Sequence, residues 1–183
     1  MMVESQSSQA TQGASPAAGA GLLFLREEEL RLAQDLLLLA TRELAQDVDA
    51  LLAQHGLGRA HHRALHFIAR QPGLTVGDLL ALLGITKQSL ARVLATLHAE
   101  GLIEQMAGRR DRRQRLLRLT EAGLALERAL FERQRERLLA AYREAGGGAV
   151  EGFRRVLRLL LTPAARAALD RARVAALAAR SGA

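Results

Sequence analysis

Apolar residues recur early in the chain at Leu30, Ala33, Leu37, Ala40, Leu44, Val48 and Leu51. Steps of three and four place them on one stripe of a long helix, the face expected to be buried. Gly56 and Gly58 end that pattern. A second helix is predicted from about Arg59, with Leu65, Ile68 and Ala69 turned inward. It stops at Gln71-Pro72-Gly73, because proline cannot continue the hydrogen-bond ladder.

The next segment is dense in helix boundaries. Thr75 with Asp78 three residues later resembles a capping box and opens a short helix through Leu79, Leu80, Leu82 and Leu83. Gly84 fits the left-handed position that closes it. Thr86 caps another helix, whose Leu90, Val93, Leu94 and Leu97 share one face before Gly101 ends it. Two helices joined by a short glycine-containing turn form a helix-turn-helix. Leu102 to Ala107 and Arg115 to Leu119 read as two strands, and the polar, glycine-led stretch from Gly108 to Gln114 between them makes a β-hairpin with a charged tip. A hairpin directly after the second helix of the pair is a wing, so Leu74 to Thr120 reads as a winged helix-turn-helix.

Thr120 then caps a long amphipathic helix carrying Leu124, Phe131, Leu138 and Tyr142, up to Gly146-Gly147-Gly148, where three glycines predict a flexible break. A helix from Val150 to Leu161 follows. Thr162-Pro163 starts a last one, rich in Ala and Arg, to about Arg180. The fold class expected is mainly α, with one hairpin wing inside a single domain over residues 24–183. Residues 1–23 are expected to form a flexible tail. Glu4 stands where an export signal would be positive, and the apolar GLLFL runs straight into Arg26-Glu27-Glu28-Glu29.

Composition agrees with a helical core, since hydrophobic residues make up 49% of the 183 and aromatic ones only 3%. The absence of cysteine excludes disulfides, thiolate metal sites and thiol-based redox sensing. The longest leucine run, Leu36 to Leu39, falls far short of the roughly 20 apolar residues that span a bilayer. A cytoplasmic protein with no membrane partner is expected.

Charge changes the picture more. The net charge is +7, yet residues 1–85 sum to −3 and residues 86–118 to +5. A focal basic segment points to a polyanion bound there. On the Thr86 helix, Gln88 and Arg92 lie one turn apart and opposite the apolar face, while Lys87 and Ser89 sit at its start. Gln pairs with adenine and Arg with guanine in the major groove, so this is a base-reading set. The bland alternative is a solvated helix face. The wing segment from Arg109 to Arg118 holds six arginines and one aspartate. Arginine suits a narrow minor groove, because its weakly hydrated planar head can be desolvated there. Candidate DNA contacts are therefore Thr86, Lys87, Gln88, Ser89, Arg92, Arg109, Arg110, Arg112, Arg113 and Arg115.

GITKQSLARVLATLHAEGLIEQ followed by DRRQRLLRLTEAG resembles the MarR family of winged-helix regulators, whose wing pattern is Asp-x-Arg, an apolar strand, then Leu-Thr-x-x-Gly. Asp111, Arg113, Leu119, Thr120 and Gly123 match it in order and spacing. FLREEEL, GRAHHRALHFIARQPGLTV and GITKQSLARVL further resemble the PetP-like branch of that family. The resemblance implies a homodimer built through residues 24–58 and 123–183, with residues 59–122 reading double-stranded DNA. It makes Arg113 the minor-groove arginine and Asp111 the brace of neighbouring arginines. It also implies a small-molecule effector in a cleft bordered here by His62, His66 and Phe67. For Phe67 plain core packing is the alternative.

His62 and His66 have the i, i+4 spacing of metal ligands, but no third ligand is evident, so no metal or other cofactor is expected. No phosphate-binding Gly-x-x-x-x-Gly-Lys, His-Glu-x-x-His or nucleophile elbow occurs, which argues against an enzyme. Two rivals stay open: a scaffold docking an acidic protein on the winged helix, and an architectural DNA binder without sequence preference.

Overall fold

Four helices begin at a threonine whose hydroxyl accepts the backbone N–H three residues on: Thr75 from Asp78 at 3.0 Å, Thr86 from Ser89 at 3.1 Å, Thr120 from Gly123 at 3.0 Å and Thr162 from Ala165 at 3.2 Å. Each satisfies an N–H that the helix itself leaves without a partner. In the computed structural model, which describes residues 23–107 and 114–181, a single 3-10 turn at Leu23–Leu25 precedes the helices. They are α1 (Glu27–Gln54), α2 (Arg59–Arg70), α3 (Val76–Leu83), α4 (Lys87–Ala99), α5 (Glu121–Leu160) and α6 (Pro163–Ser181). Strands β1 (Leu74–Thr75), β2 (Ile103–Ala107) and β3 (Arg115–Leu119) form an antiparallel sheet in the order β1-β3-β2. The two-residue β1 is an addition to the expected hairpin. The expected tail lies outside the described residues, apart from Leu23.

The boundary between two compact units, Met1–Arg42 and Glu43–Ala183, falls inside α1. In the first unit Arg31 pairs with Glu27 at 2.6 Å, and the Thr41 hydroxyl donates to the Leu37 carbonyl at 2.7 Å. Its leucines are largely uncovered, Leu30 being 55% exposed and Leu36 58%. Of the stripe expected to be buried along α1 only Val48, at its far end in the second unit, is fully buried; Leu51 is half-buried, and its neighbour Leu52 enters the core in its place. A periodic stripe shows that one face is apolar, not what covers it.

The core of the second unit joins Leu65 and Ile68 of α2, Leu79 of α3, Leu90 and Leu97 of α4, Leu117 of β3 and Leu130 of α5, each 1% exposed or less. Burial of each such side chain contributes roughly 1.5–3 kcal/mol. Polar ties hold α5 to the end of α1. The Gln134 amide donates to the Leu44 carbonyl at 2.7 Å, and Arg137 grips Asp47 with two bonds of 2.8 Å. The Arg137 bond holds the Asp47 carboxyl below its ordinary range. A depressed acid stabilises the fold above its usual range and loses that contribution as pH falls through the lowered value. Asp47→Asn should therefore cost up to about 1 kcal/mol near pH 7, with the deficit shrinking as pH falls through the lowered value, as read by urea titration along an acid series.

The glycine break in α5 is narrower than expected. Only Gly146 leaves helical space, at φ 77° and ψ 162°, so residues 121–145 and 147–160 form two helical halves. The second half starts at Gly147, ahead of the expected Val150, because Gly147 and Gly148 take part in it. An added Cβ at either would meet nothing within 4 Å. Replacing Gly147 or Gly148 with Ala should stabilise by roughly 0.5–1 kcal/mol, whereas Gly146→Ala should cost about 1–2 kcal/mol. Thermal melts of the three variants read the opposite signs.

Candidate nucleic-acid interface

α3 closes on Gly84 in the left-handed conformation, φ 61°, and α4 starts three residues later, the two axes bending through 114°. That angle is the one a helix-turn-helix needs to present its second helix. Leu90, Val93, Leu94 and Leu97 seat α4 in the core, which leaves Gln88 and Arg92 exposed on the far side with Lys87 beside them. Ser89 is only half-buried at the helix start, and its hydroxyl accepts from the Thr86 hydroxyl at 2.9 Å. The Thr86 hydroxyl is thus committed to the cap, while Gln88 and Arg92 have solvent in front of them.

α4 leads into the wing through a tight exit. The Leu102 N–H donates to Leu97 at 2.9 Å, and Gly101 takes φ 65°. β2 and β3 pair in register from Ile103 opposite Leu119 to Ala107 opposite Arg115. Arg115 and Arg118 of β3 are exposed. The wing tip with Arg109, Arg110, Asp111, Arg112 and Arg113 lies outside the described residues.

The Leu119-Thr120-x-x-Gly123 part of the motif has a physical reason. Leu119 is buried, and the Thr120 hydroxyl donates to the Gly101 carbonyl at 2.7 Å while its N–H donates to the Leu102 carbonyl at 3.1 Å. A Cβ on Gly123 would overlap that same Leu102 carbonyl. The return of the wing, the end of α4 and the start of α5 therefore meet at one backbone junction with no room for a side chain.

A groove of 850 Å³ runs between α4 and the wing, with Lys87, Ala91, Ala95, His98, Gln105 and Arg115 on its walls. Ala91, Ala95 and Gln105 escaped the sequence reading, since exposed alanines on a helix pass for simple helix formers. The signal for the two alanines was their place on the flank of α4 next to Gln88 and Arg92, and for Gln105 its place in the strand that follows.

Of the three expected cleft residues, His66 and Phe67 line a second cavity, of 620 Å³, beside α5 and α6, and His62 does not. His66 lies 3.4 Å from Glu127 of α5 and edge-on to Phe67, which also packs against the core. Burial, then the neighbouring His66, lowers the His62 pKa. No group of three metal-ligating side chains occurs among the described residues.

The MarR family pattern matches residues 55–114. Over 148 residues the chain is 55% identical to the HTH-type transcriptional regulator PetP of Rhodobacter capsulatus, covering 81% of this chain and 89% of that protein. The chain belongs to the MarR family. It is a winged-helix transcriptional regulator, and its similarity to PetP accords with the branch likeness noted above. Solved MarR-type structures share the fold at lower identity. NadR in complex with 4-hydroxyphenylacetate is 22% identical, with TM-score 0.62 over 84% of this chain and 97% of that one. A MarR-family regulator from Silicibacter pomeroyi is 21% identical, with TM-score 0.62 over 78% and 92%. S. aureus MepR in its DNA-binding conformation is 23% identical, with TM-score 0.60 over 70% and 98%. No single helix among the described residues is long and apolar enough to cross a membrane.

Proposed function

We propose that this MarR-family protein works in the cytoplasm as a homodimer, binding an imperfectly palindromic operator in double-stranded DNA and regulating transcription without catalysis. One observation carries the reading. The core-facing leucines of α4 turn Gln88 and Arg92 outward, next to a groove whose far wall is the arginine-bearing strand β3. Gln88 and Arg92 read base edges in the major groove. Ala91 and Ala95 lie flat enough to let them approach, and can meet a thymine methyl. Lys87, Arg112, Arg113 and Arg115 contact the backbone or the minor groove, with Arg109 and Arg110 beside them and Asp111 bracing the wing. Thr86 and Ser89 act at the start of α4, where a helix N-terminus favours phosphate.

Dimerisation follows from surface that one chain leaves open. Leu30, Leu36 and Leu38 in the first unit, and Phe153, Val156 and Leu159 in the second, are each more than 45% exposed. Apolar faces of this kind mark interfaces. A second copy on the terminal helices also supplies the second half-site. A small ligand in the cleft near His62, His66 and Phe67 modulates binding, a role supported by NadR having been solved with 4-hydroxyphenylacetate.

Fragments selected from genomic DNA, followed by anisotropy titration, test this. Gln88→Ala should flatten preference at one base position by about 1–3 kcal/mol, whereas Arg113→Ala should weaken all sequences alike. Equal affinity of the parent for operator and random DNA would leave the architectural reading standing. A protein that retards no DNA would point to the scaffold.

A further inference from the structure

α6 is not needed by a winged helix-turn-helix, yet its first half is tied into this one. Ala168 is buried to 2% exposure, and Arg171 reaches Asp78 at the start of α3 across 3.2 Å. Asp78 is the carboxylate that also accepts the Thr75 hydroxyl bond at 2.7 Å. The adjacent Asp170 grips Arg158 of α5 with two bonds, of 2.6 and 2.7 Å. One short stretch of α6 is thus fastened to the reading head on one side and to α5 on the other.

Beneath it lies the 620 Å³ cavity, a volume within the range of small-molecule sites. Phe67 of α2, Leu157 and Leu161 of α5 and Leu169 of α6 supply its apolar wall, and Arg70 and Arg154 stand at its rim. The second half of α5 turns Arg154, Leu157 and Arg158 toward the cavity, with Leu161 following at its C-cap, while Val156 and Leu159 lie on another face of the helix. Among the described residues only one carbocyclic ring lines the cavity, so the wall favours a flexible aliphatic body over a stacked aromatic one. Neither Arg70 nor Arg154 has a carboxylate partner among the described residues. Arg154 lies 5.6 Å from the Tyr142 ring, a stacking contact that leaves its N–H groups open. The one acid lining the cavity among the described residues, Asp170, is already bonded to Arg158. Three guanidiniums against one carboxylate select an anion, and the arginine fork fits a carboxylate.

We propose that this cavity binds a medium-chain aliphatic monocarboxylate, its carboxylate on Arg70 and Arg154 and its chain against Phe67, Leu157, Leu161 and Leu169. The inference rests on the ligand-modulated reading above and gives it a site and a chemical class. A second carboxylate beside Asp170 repels it and draws on its partner Arg158. That loosens the Asp170-Arg171 stretch from α5 and from Asp78, and weakens DNA binding.

Decanoate, kept below its aggregation concentration, is the probe for calorimetry on the full chain, with octanoate, decylamine and methyl decanoate as comparisons. Decanoate should bind about tenfold more tightly than octanoate for its two extra methylenes, and the amine and ester should bind at least tenfold more weakly than decanoate. The exposed double variant Arg70→Gln/Arg154→Gln should lose at least tenfold in decanoate affinity while binding DNA as the parent does. Decanoate should weaken operator binding by the parent at least fivefold, and Arg171→Ala should bind decanoate yet respond less. The proposal is overturned if decanoate does not bind, if the double variant binds it undiminished, or if decylamine binds equally well. Failure of the parent to bind any operator would sink the regulator reading instead, and calorimetry would still decide the site.

Discussion

Gly123→Ala is expected to destabilise the protein by about 3 kcal/mol or more, lowering the melting temperature by roughly 6–12 °C. The clash is with backbone. The added methyl would fall on the Leu102 carbonyl, which cannot swing aside as a side-chain tip would. That carbonyl also accepts the Thr120 N–H, so pushing it away breaks the bond that closes the wing onto α5. Gly77→Ala in α3 is the control, since its Cβ would meet only the Thr75 hydroxyl at 3.8 Å. Calorimetric melting of both variants decides. A Gly123→Ala protein that melts with the parent would mean that the junction yields easily.

The second large effect concerns salt. On the proposed reading, two copies each of Lys87, Arg112 and Arg113 would make six phosphate contacts on an operator. Raising salt from 50 to 200 mM should then weaken binding about a thousandfold, with a log–log slope near −5. Lys87→Ala should flatten the slope by about two, because each dimer loses two contacts. A parent slope near −1 would mean that the basic stretch does not lie along the phosphates. These values follow from counterion release, so they report contacts made by the wing tip directly from solution.

What could be read from residues alone was what depends on near neighbours. The caps at Thr75, Thr86 and Thr120 were legible because their partners stand three residues on, and the outward face of Gln88 and Arg92 because helical period fixes it. The pattern Leu119-Thr120-x-x-Gly123 could be matched to a family, but its cause is a carbonyl brought in from the far side of the hairpin. β1 escaped notice because two residues show no alternation. Three glycines in a row gave no sign that only the first departs from the helix. The exposure of Leu30 and Leu36 was hidden because periodicity does not say what lies opposite. The fold-back of α6 rests on Arg171 meeting Asp78 from 93 positions away, a pairing no local pattern announces.

The order β1-β3-β2 bears on how DNA is met. β3, the strand carrying Arg115 and Arg118, is the middle one, bonded on one side to β2 and on the other to β1, which runs directly into α3. The stem of the wing is therefore continuous, through hydrogen bonds, with the first helix of the reading head. Its backbone gives up conformational entropy when the chain folds and not when DNA arrives. Preorganisation of that kind lowers the cost of association. It also fixes the offset between the strand and the recognition helix, so a duplex whose grooves depart from that offset must itself deform to bind.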